Sequence, residues 1–269
     1  MTARILIVAG SDSSGGAGIQ ADTKTVTALG GYAATAITAL TAQNTLGVSG
    51  VVGVEPAFIQ QQMRAVIDDI GIDVIKTGML HNAEVIDAVS DIIDELDPSI
   101  PIVVDPVMVS QSGSSLLDPN SVQTLTRRLS LRATVMTPNI PEAEKLTGMT
   151  IRDIDGMLQA AAMLHTIGPK AVLLKGGHMQ GGSSVTDILA SEEGIETFES
   201  PRIETPHVHG TGCTLASAIA TSLAQGMSVR ASVLRARAYL YEAIRTNPGL
   251  GGGQGPLNHG HTVGSFDAP

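Results

Sequence analysis

Short aliphatic runs alternate with helical stretches along this chain, and that rhythm limits the folds open to it. The runs RILIVAG (4–10), AATAITAL (33–40), DVIKTG (73–78), PIVVDPV (101–107), ATVMTPN (133–139) and KAVLLKGG (170–177) are nearly continuous in apolar residues. That is the pattern of strands covered on both faces. Between them lie segments with helical spacing. IQADTKTVTALG closes on a glycine suited to a C-cap, and EPAFIQQQMRAVIDDIG places Phe58, Met63, Ile67 and Ile70 near one face. NAEVIDAVSDIIDELD starts on an Asn cap and DIDGMLQAAAMLHTIG on an Asp. Strand, helix and strand in this order predict an α/β fold: a mostly parallel sheet with helices on both faces. SVTDILA and GIETFES (184–200) predict a hairpin about Glu193-Gly194, and two helices over 212–225 and 228–246 complete the fold. With no internal repeat and no linker, one domain over 1–269 is expected, its glycine-rich tail irregular and loose after about 262.

Composition decides what fills that core and which partners are excluded. Aromatic residues make up 2% of the chain and tryptophan is absent, so the interior must be built from Ala, Val, Ile, Leu and Met. A net charge of −10, with 16 Lys and Arg scattered rather than clustered, argues against nucleic acid. No stretch approaches the roughly 20 apolar residues of a membrane span. The opening MTARILIVAG turns to strand and glycine too early for a secretory leader. One cysteine, Cys213, allows no intrachain disulfide, and a cytoplasmic protein is expected.

In sheets of this kind ligands bind beyond the carboxyl ends of the strands. Polar and glycine residues collect at those ends: AGSDSSGGAG, TGML, DPVMVSQSG, TPNIPEAE and LKGGH. In HVHGTGCTLASAIA (207–220), Gly210 and Gly212 precede an apolar helix whose first N–H groups lack intrahelical acceptors, which suits an anion. Cys213 falls in the first helical turn. There it is either a thiol whose pKa the helix lowers toward neutrality, able to act as base or nucleophile, or a small buried residue. His207 and His209 with Cys213 lack the further cysteines of a structural zinc site. Asn139 and Glu142, three apart at a strand end, present a carboxamide and a carboxylate that suit either a hydrated Mg²⁺ or an ordinary helix start. Asp105 follows a buried run and points a carboxylate into the expected crevice. Lys175, before two glycines, can reach a phosphate. AGSDSSGGAGIQAD matches neither a Walker A loop nor G-x-G-x-x-G, and reads as a close-approach loop for a small substrate, with Asp22 behind it. Gln43, just beyond an apolar strand, is either a carboxamide facing a heterocycle edge or a solvated loop residue.

Taken in order, AGSDSSGGAGIQAD, ALTAQNTLGV, KTGML, DPVMVSQSG, TPNIPEAEKLTG, LKGGH, HGTGCTLASAIA and GQGPLNH resemble the hydroxymethylpyrimidine/phosphomethylpyrimidine kinases of the ribokinase-like superfamily. The resemblance runs over about residues 4 to 261. It implies a Mg²⁺- and ATP-dependent kinase, expected as a homodimer, that phosphorylates 4-amino-5-hydroxymethyl-2-methylpyrimidine and then its monophosphate. By motif, Gln43 would bind the aminopyrimidine, with Gly10, Met79 and Val107 lining its pocket and Asp22 near its hydroxyl. Asp105 and Glu142 would serve the metal, Asn139, Thr211, Lys175 and Arg237 the nucleotide. Gly210, Gly212 and Cys213 would form the anion hole and acceptor base. This chain departs from many relatives in reading Gln111 for a lysine and Arg237 for another. A pyridoxal kinase of the same superfamily and a non-catalytic pyrimidine or nucleotide sensor are the alternatives.

Overall fold

The structure is a computed structural model and describes residues 2–108, 121–179 and 182–264. Gln111 and the loop around 110–117 lie outside the described residues.

Among the described residues nine strands form one sheet: β1 (Arg4–Asp12), β2 (Tyr32–Asn44), β3 (Gly47–Gly53), β4 (Val74–Thr77), β5 (Ile102–Val104), β6 (Val135–Met136), β7 (Ala171–Leu174), β8 (Ser184–Ser191) and β9 (Gly194–Pro201). Their spatial order is β3-β2-β1-β4-β5-β6-β7-β8-β9. The six strands from β2 to β7 pair in parallel; β3 on one edge and β8 and β9 on the other pair antiparallel. The chain leaves β1 toward β2 and later returns to β4 on β1's other side. The strand order thus reverses at β1, where a ligand crevice opens.

Eight α-helices among the described residues cover the sheet: α1 (Gly18–Ala28), α2 (Pro56–Asp69), α3 (Ala83–Glu95), α4 (Ser121–Arg128), α5 (Ile140–Thr147), α6 (Ile154–Thr166), α7 (Thr211–Ala224) and α8 (Val229–Arg245). Ile5, Ile7 and Ala9 of β1 pack against α7 and α8, while Leu6 and Val8 pack against α2 and α3. Alternate side chains of one strand therefore feed two cores, which is why the strand reads as a solid apolar run. The caps expected from the sequence form. Asn82 accepts from Val85 N at 2.9 Å and Asp153 from Gly156 N at 2.8 Å. The hairpin turns at Gly194, whose φ of 115° suits glycine.

Three local expectations change. The strand expected over 33–40 runs to Asn44, so Gln43 is part of β2 rather than beyond it. GVSGVVG forms edge strand β3, an element the sequence did not announce because its glycines read as loop. On α2 the buried residues are Ile59 and Met63, one turn apart, whereas Phe58 is 55% and Ile70 37% exposed. Phe58 and Met63 are five apart and so cannot share a narrow face.

Candidate active site

The carboxyl ends of the parallel strands open into one cavity of about 350 Å³. Gly10, Ser11 and Asp12 line it from β1, Gln43 from β2, Met79 from beyond β4, Asp105 and Val107 from beyond β5. Asn139 and Glu142 reach it after β6, and Lys175 after β7; Gly210, Thr211, Gly212 and Cys213 form its floor. Residues far apart in sequence meet because each follows a strand of the same parallel set.

The floor depends on glycine. Gly210 has φ of 85°, and a Cβ there would strike the carbonyl oxygen of Gly16. The turn before α7 thus lies backbone-to-backbone on the β1–α1 loop. A Cβ on Gly212 would lie 3.2 Å from Lys175 Nζ and 3.5 Å from Asp105 Oδ2, so the first helical turn faces those charges directly. Thr211 N donates to Val208 O at 3.3 Å. The N–H groups of Gly212 and Cys213 have no intrahelical acceptor and carry the positive end of the helix dipole.

Lys175 Nζ donates to Asp105 Oδ1 at 3.0 Å, and Thr137 Oγ1 donates to the same oxygen at 3.0 Å. Burial works to lower the Lys175 pKa, but Asp105 and Glu142 outweigh it and hold the pKa above its ordinary value. The ammonium therefore keeps its charge. Asn139 and Glu142 form a reciprocal capping box at the start of α5. Asn139 Oδ1 accepts from Glu142 N at 2.9 Å, and Glu142 Oε2 accepts from Asn139 N at 2.8 Å. The ordinary helix start and the cavity wall are thus the same residues. Burial pushes the Glu142 carboxyl up to about 7 against the pull of Lys175.

Three expected residues sit differently from the sequence reading. Asp22 does not line the cavity. It is wholly buried beneath the floor, accepting from Lys76 Nζ at 2.8 and 2.9 Å and from Ser217 Oγ at 2.7 Å. Arg237 borders the cavity, but its Nε donates to Asp187 Oδ2 at 2.8 Å and an NH2 group to Phe198 O at 3.1 Å. Asp187 also accepts from Gly176 N at 2.9 Å, so Arg237 braces the turn that carries Lys175. The Cys213 thiol is not brought toward neutrality: burial raises its pKa to about 12, with Lys76 pulling the other way. The helix end is outweighed by burial, to which the charges of Asp22 and Asp105 add.

Asp12 enters the site without having been singled out, and His209, weighed only as a zinc ligand, enters it in another role. His209 Nε2 donates to Asp12 Oδ2 at 2.7 Å across 197 positions of sequence. Asp12 also accepts from Ser14 N, Ser14 Oγ and Ala17 N, each at 2.8 Å. Burial works to raise the Asp12 pKa, but these donors, His209 first, hold it below the ordinary carboxylate value. An Asp inside a Ser/Gly turn and a buried His just before the GTGC floor were the available signals.

A helix N-terminal turn, a lysine and two carboxylates meet at the mouth of a mostly parallel α/β sheet, a donor set that suits phosphoryl transfer. The phosphomethylpyrimidine kinase family model matches residues 12–258, and the chain belongs to that family. It is 54% identical, over 95% of its length, to the thiamine biosynthesis bifunctional protein of Geobacter sulfurreducens, of which it spans 52%. With the hydroxymethylpyrimidine/phosphomethylpyrimidine kinase of Streptomyces coelicolor it shares 44% identity over 97% of this chain and 95% of that one. Among solved structures it superposes on an ADP complex of Bacillus subtilis pyridoxal kinase with a TM-score of 0.87 and 35% identity, covering 96% of this chain and 98% of the other.

Proposed function

We propose that this chain transfers the terminal phosphoryl group of ATP to the hydroxymethyl oxygen of 4-amino-5-hydroxymethyl-2-methylpyrimidine, and then phosphorylates the monophosphate to the diphosphate for thiamine biosynthesis. The new bond joins that oxygen to phosphorus as the bond to ADP breaks. The observation that carries the reading is the floor: Gly212 faces Lys175 and Asp105 while Gln43 lines the same cavity.

Phosphoryl transfer is mostly positioning and charge stabilisation. Gln43 pairs with the aminopyrimidine edge between the apolar walls of Met79 and Val107, with Gly10 giving the ring room. Gly210, Thr211 and Gly212 shape the turn that receives the transferred oxygens, and Lys175 offsets their charge. Cys213 lies at the acceptor hydroxyl and takes its proton as a minority thiolate, supported by Lys76. Asn139 shapes the nucleotide end, and Arg237 acts there through Asp187.

Mg²⁺ fits the donor set. Asp105 and Glu142 border one cavity, and a cation there would favour the ionised form of a Glu142 carboxyl that burial raises to about 7. Among the described residues no group of three His, Cys, Asp or Glu side chains is arranged to cage a metal. The ion would be held by these carboxylates with waters and phosphate oxygens, as Mg²⁺ prefers, and would neutralise phosphate charge.

The same reading takes the chain as one cytoplasmic domain acting as a homodimer. Among the described residues no helix is long and apolar enough to cross a membrane. The close superposition on a pyridoxal kinase supports pyridoxal as the competing acceptor. Product analysis with ATP, Mg²⁺ and each acceptor decides: monophosphate followed by diphosphate is expected, and faster turnover of pyridoxal overturns the choice.

A further inference from the structure

The Gln43 carboxamide touches two groups, and neither contact is complementary with its nitrogen toward His209. Gln43 Nε2 lies 3.4 Å from His209 Nε2, and Gln43 Oε1 lies 3.2 Å from Thr41 Oγ1. His209 Nε2 is already the donor to Asp12 at 2.7 Å, because the Asp12 carboxylate can only accept. Two N–H groups would then face each other. Thr41 spends its single hydroxyl proton on Ser11 O at 2.9 Å, leaving only lone pairs toward Gln43. Turning the amide over relieves both sides: Oε1 faces the His209 N–H as a second, longer acceptor beside Asp12, and Nε2 donates to Thr41 Oγ1.

The surroundings hold this arrangement in register. Ser13 Oγ donates to Gln43 O and accepts from Gln43 N, both at 2.8 Å, fixing β2 against the Asp12 loop. His209 is buried, and its N–H donates to Gly255 O at 3.2 Å. Gln254 N donates to Thr45 O at 2.8 Å, so the tail segment GQGP ties the His209 loop to the end of β2. With the Gln43 backbone fixed, the choice left to the amide is a half-turn about its Cγ–Cδ bond.

We propose that Asp12 and His209 are positioning residues that lock the Gln43 amide with its oxygen on the His209 side, so that the site selects a ring edge carrying a donor beside an acceptor. Resting on the pyrimidine reading above, this directs the ring's amino group toward the His209 side and the adjacent ring nitrogen toward the Thr41 side. A pyridine nitrogen flanked by carbon substituents offers only one of the two bonds, which makes the pair a determinant of acceptor choice.

Two measurements test it. Neutron diffraction from crystals of the deuterated whole chain locates the Gln43 deuterons without any substrate. Deuterons on the Thr41 side are expected, and deuterons on the His209 side overturn the lock. Steady-state kinetics then compare 4-amino-5-hydroxymethyl-2-methylpyrimidine with its analogue bearing hydrogen in place of the amino group. The wild type is expected to favour the amino compound by roughly a hundredfold in kcat/KM, as a polar site left unpaired by the analogue would. His209→Leu should cut that preference about tenfold through KM with kcat little changed. His209→Gln, whose amide nitrogen can still donate, should restore most of it. A folded His209→Leu protein with unchanged preference, or with equal losses on both compounds, overturns the specificity role. Failure of the wild type to phosphorylate either compound would instead overturn the pyrimidine reading, with the neutron result still deciding the lock.

Discussion

Lys76 meets Asp22 through both carboxylate oxygens, at 2.8 and 2.9 Å, where neither side chain touches water. Ser217, which donates to the same carboxylate, stands one turn beyond Cys213 on α7. Burial works to raise the Asp22 pKa and to lower that of Lys76; Asp22 nevertheless keeps the Lys76 pKa above its ordinary value. Lys76→Met alone would leave an unpaired buried carboxylate at a cost of about 3–5 kcal/mol. Lys76→Met combined with Asp22→Leu should recover most of that loss. Denaturant titration of the three proteins checks this, and a double variant no better than the single would contradict it.

The Cys213 thiol, raised to about 12, rests protonated at neutral pH. If its thiolate takes the acceptor proton, kcat should climb with pH through the neutral range, because the ionised fraction rises about tenfold per pH unit below the pKa. Cys213→Ala should lower kcat by roughly 10²–10³, while Cys213→Asp should retain activity with a flatter profile, its carboxylate already ionised. Normal turnover in Cys213→Ala would remove the base role.

Glu142 makes stability depend on pH in an unusual direction. Its folded-state pKa of about 7 lies above the ordinary 4.5, so between those values the folded chain holds a proton the unfolded chain has lost. Stability should therefore fall as pH rises from about 4.5 to about 7. Glu142→Gln, which can keep the capping box, should flatten that decline. Chemical denaturation across the interval reads it. Calorimetry in buffers of different ionisation enthalpy should also detect proton release when Mg²⁺ and ATP bind below neutral pH.

The two floor glycines should fail in different ways. Gly210→Ala drives a methyl into Gly16 O at a positive φ and should lower stability, visible as a reduced Tm. Gly212→Ala meets the movable Lys175 Nζ at 3.2 Å, so the protein should fold while kcat/KM drops at least tenfold. Equal Tm losses in both variants would contradict the distinction.

What could be read from the sequence was what local chemistry decides. The β1 run, the Asn82 and Asp153 caps and the Gly194 turn each depend on neighbours within a few positions. The cavity residues after β5, β6 and β7 were visible because strand ends are visible. Asp22 was misplaced because helical periodicity does not say which side of α1 faces Lys76 and Ser217, which lie 54 and 195 positions away. The pairing of Asp12 with His209 escaped notice for the same reason. Neither residue has a local pattern that names its partner, and their meeting depends on the segment before α7 folding over the carboxyl end of β1.

Helix α7 joins two parts of the molecule usually kept apart. Its first turn borders the cavity, and from Thr214 to Ser222 every residue is buried among the strands and α8. Nothing hinges between them. The floor of the site is therefore the outer end of a core member, and heat should not disable it ahead of the whole fold. Loss of turnover on warming is expected to track global melting, so thermal tolerance of activity would be inherited directly from the hydrophobic interior.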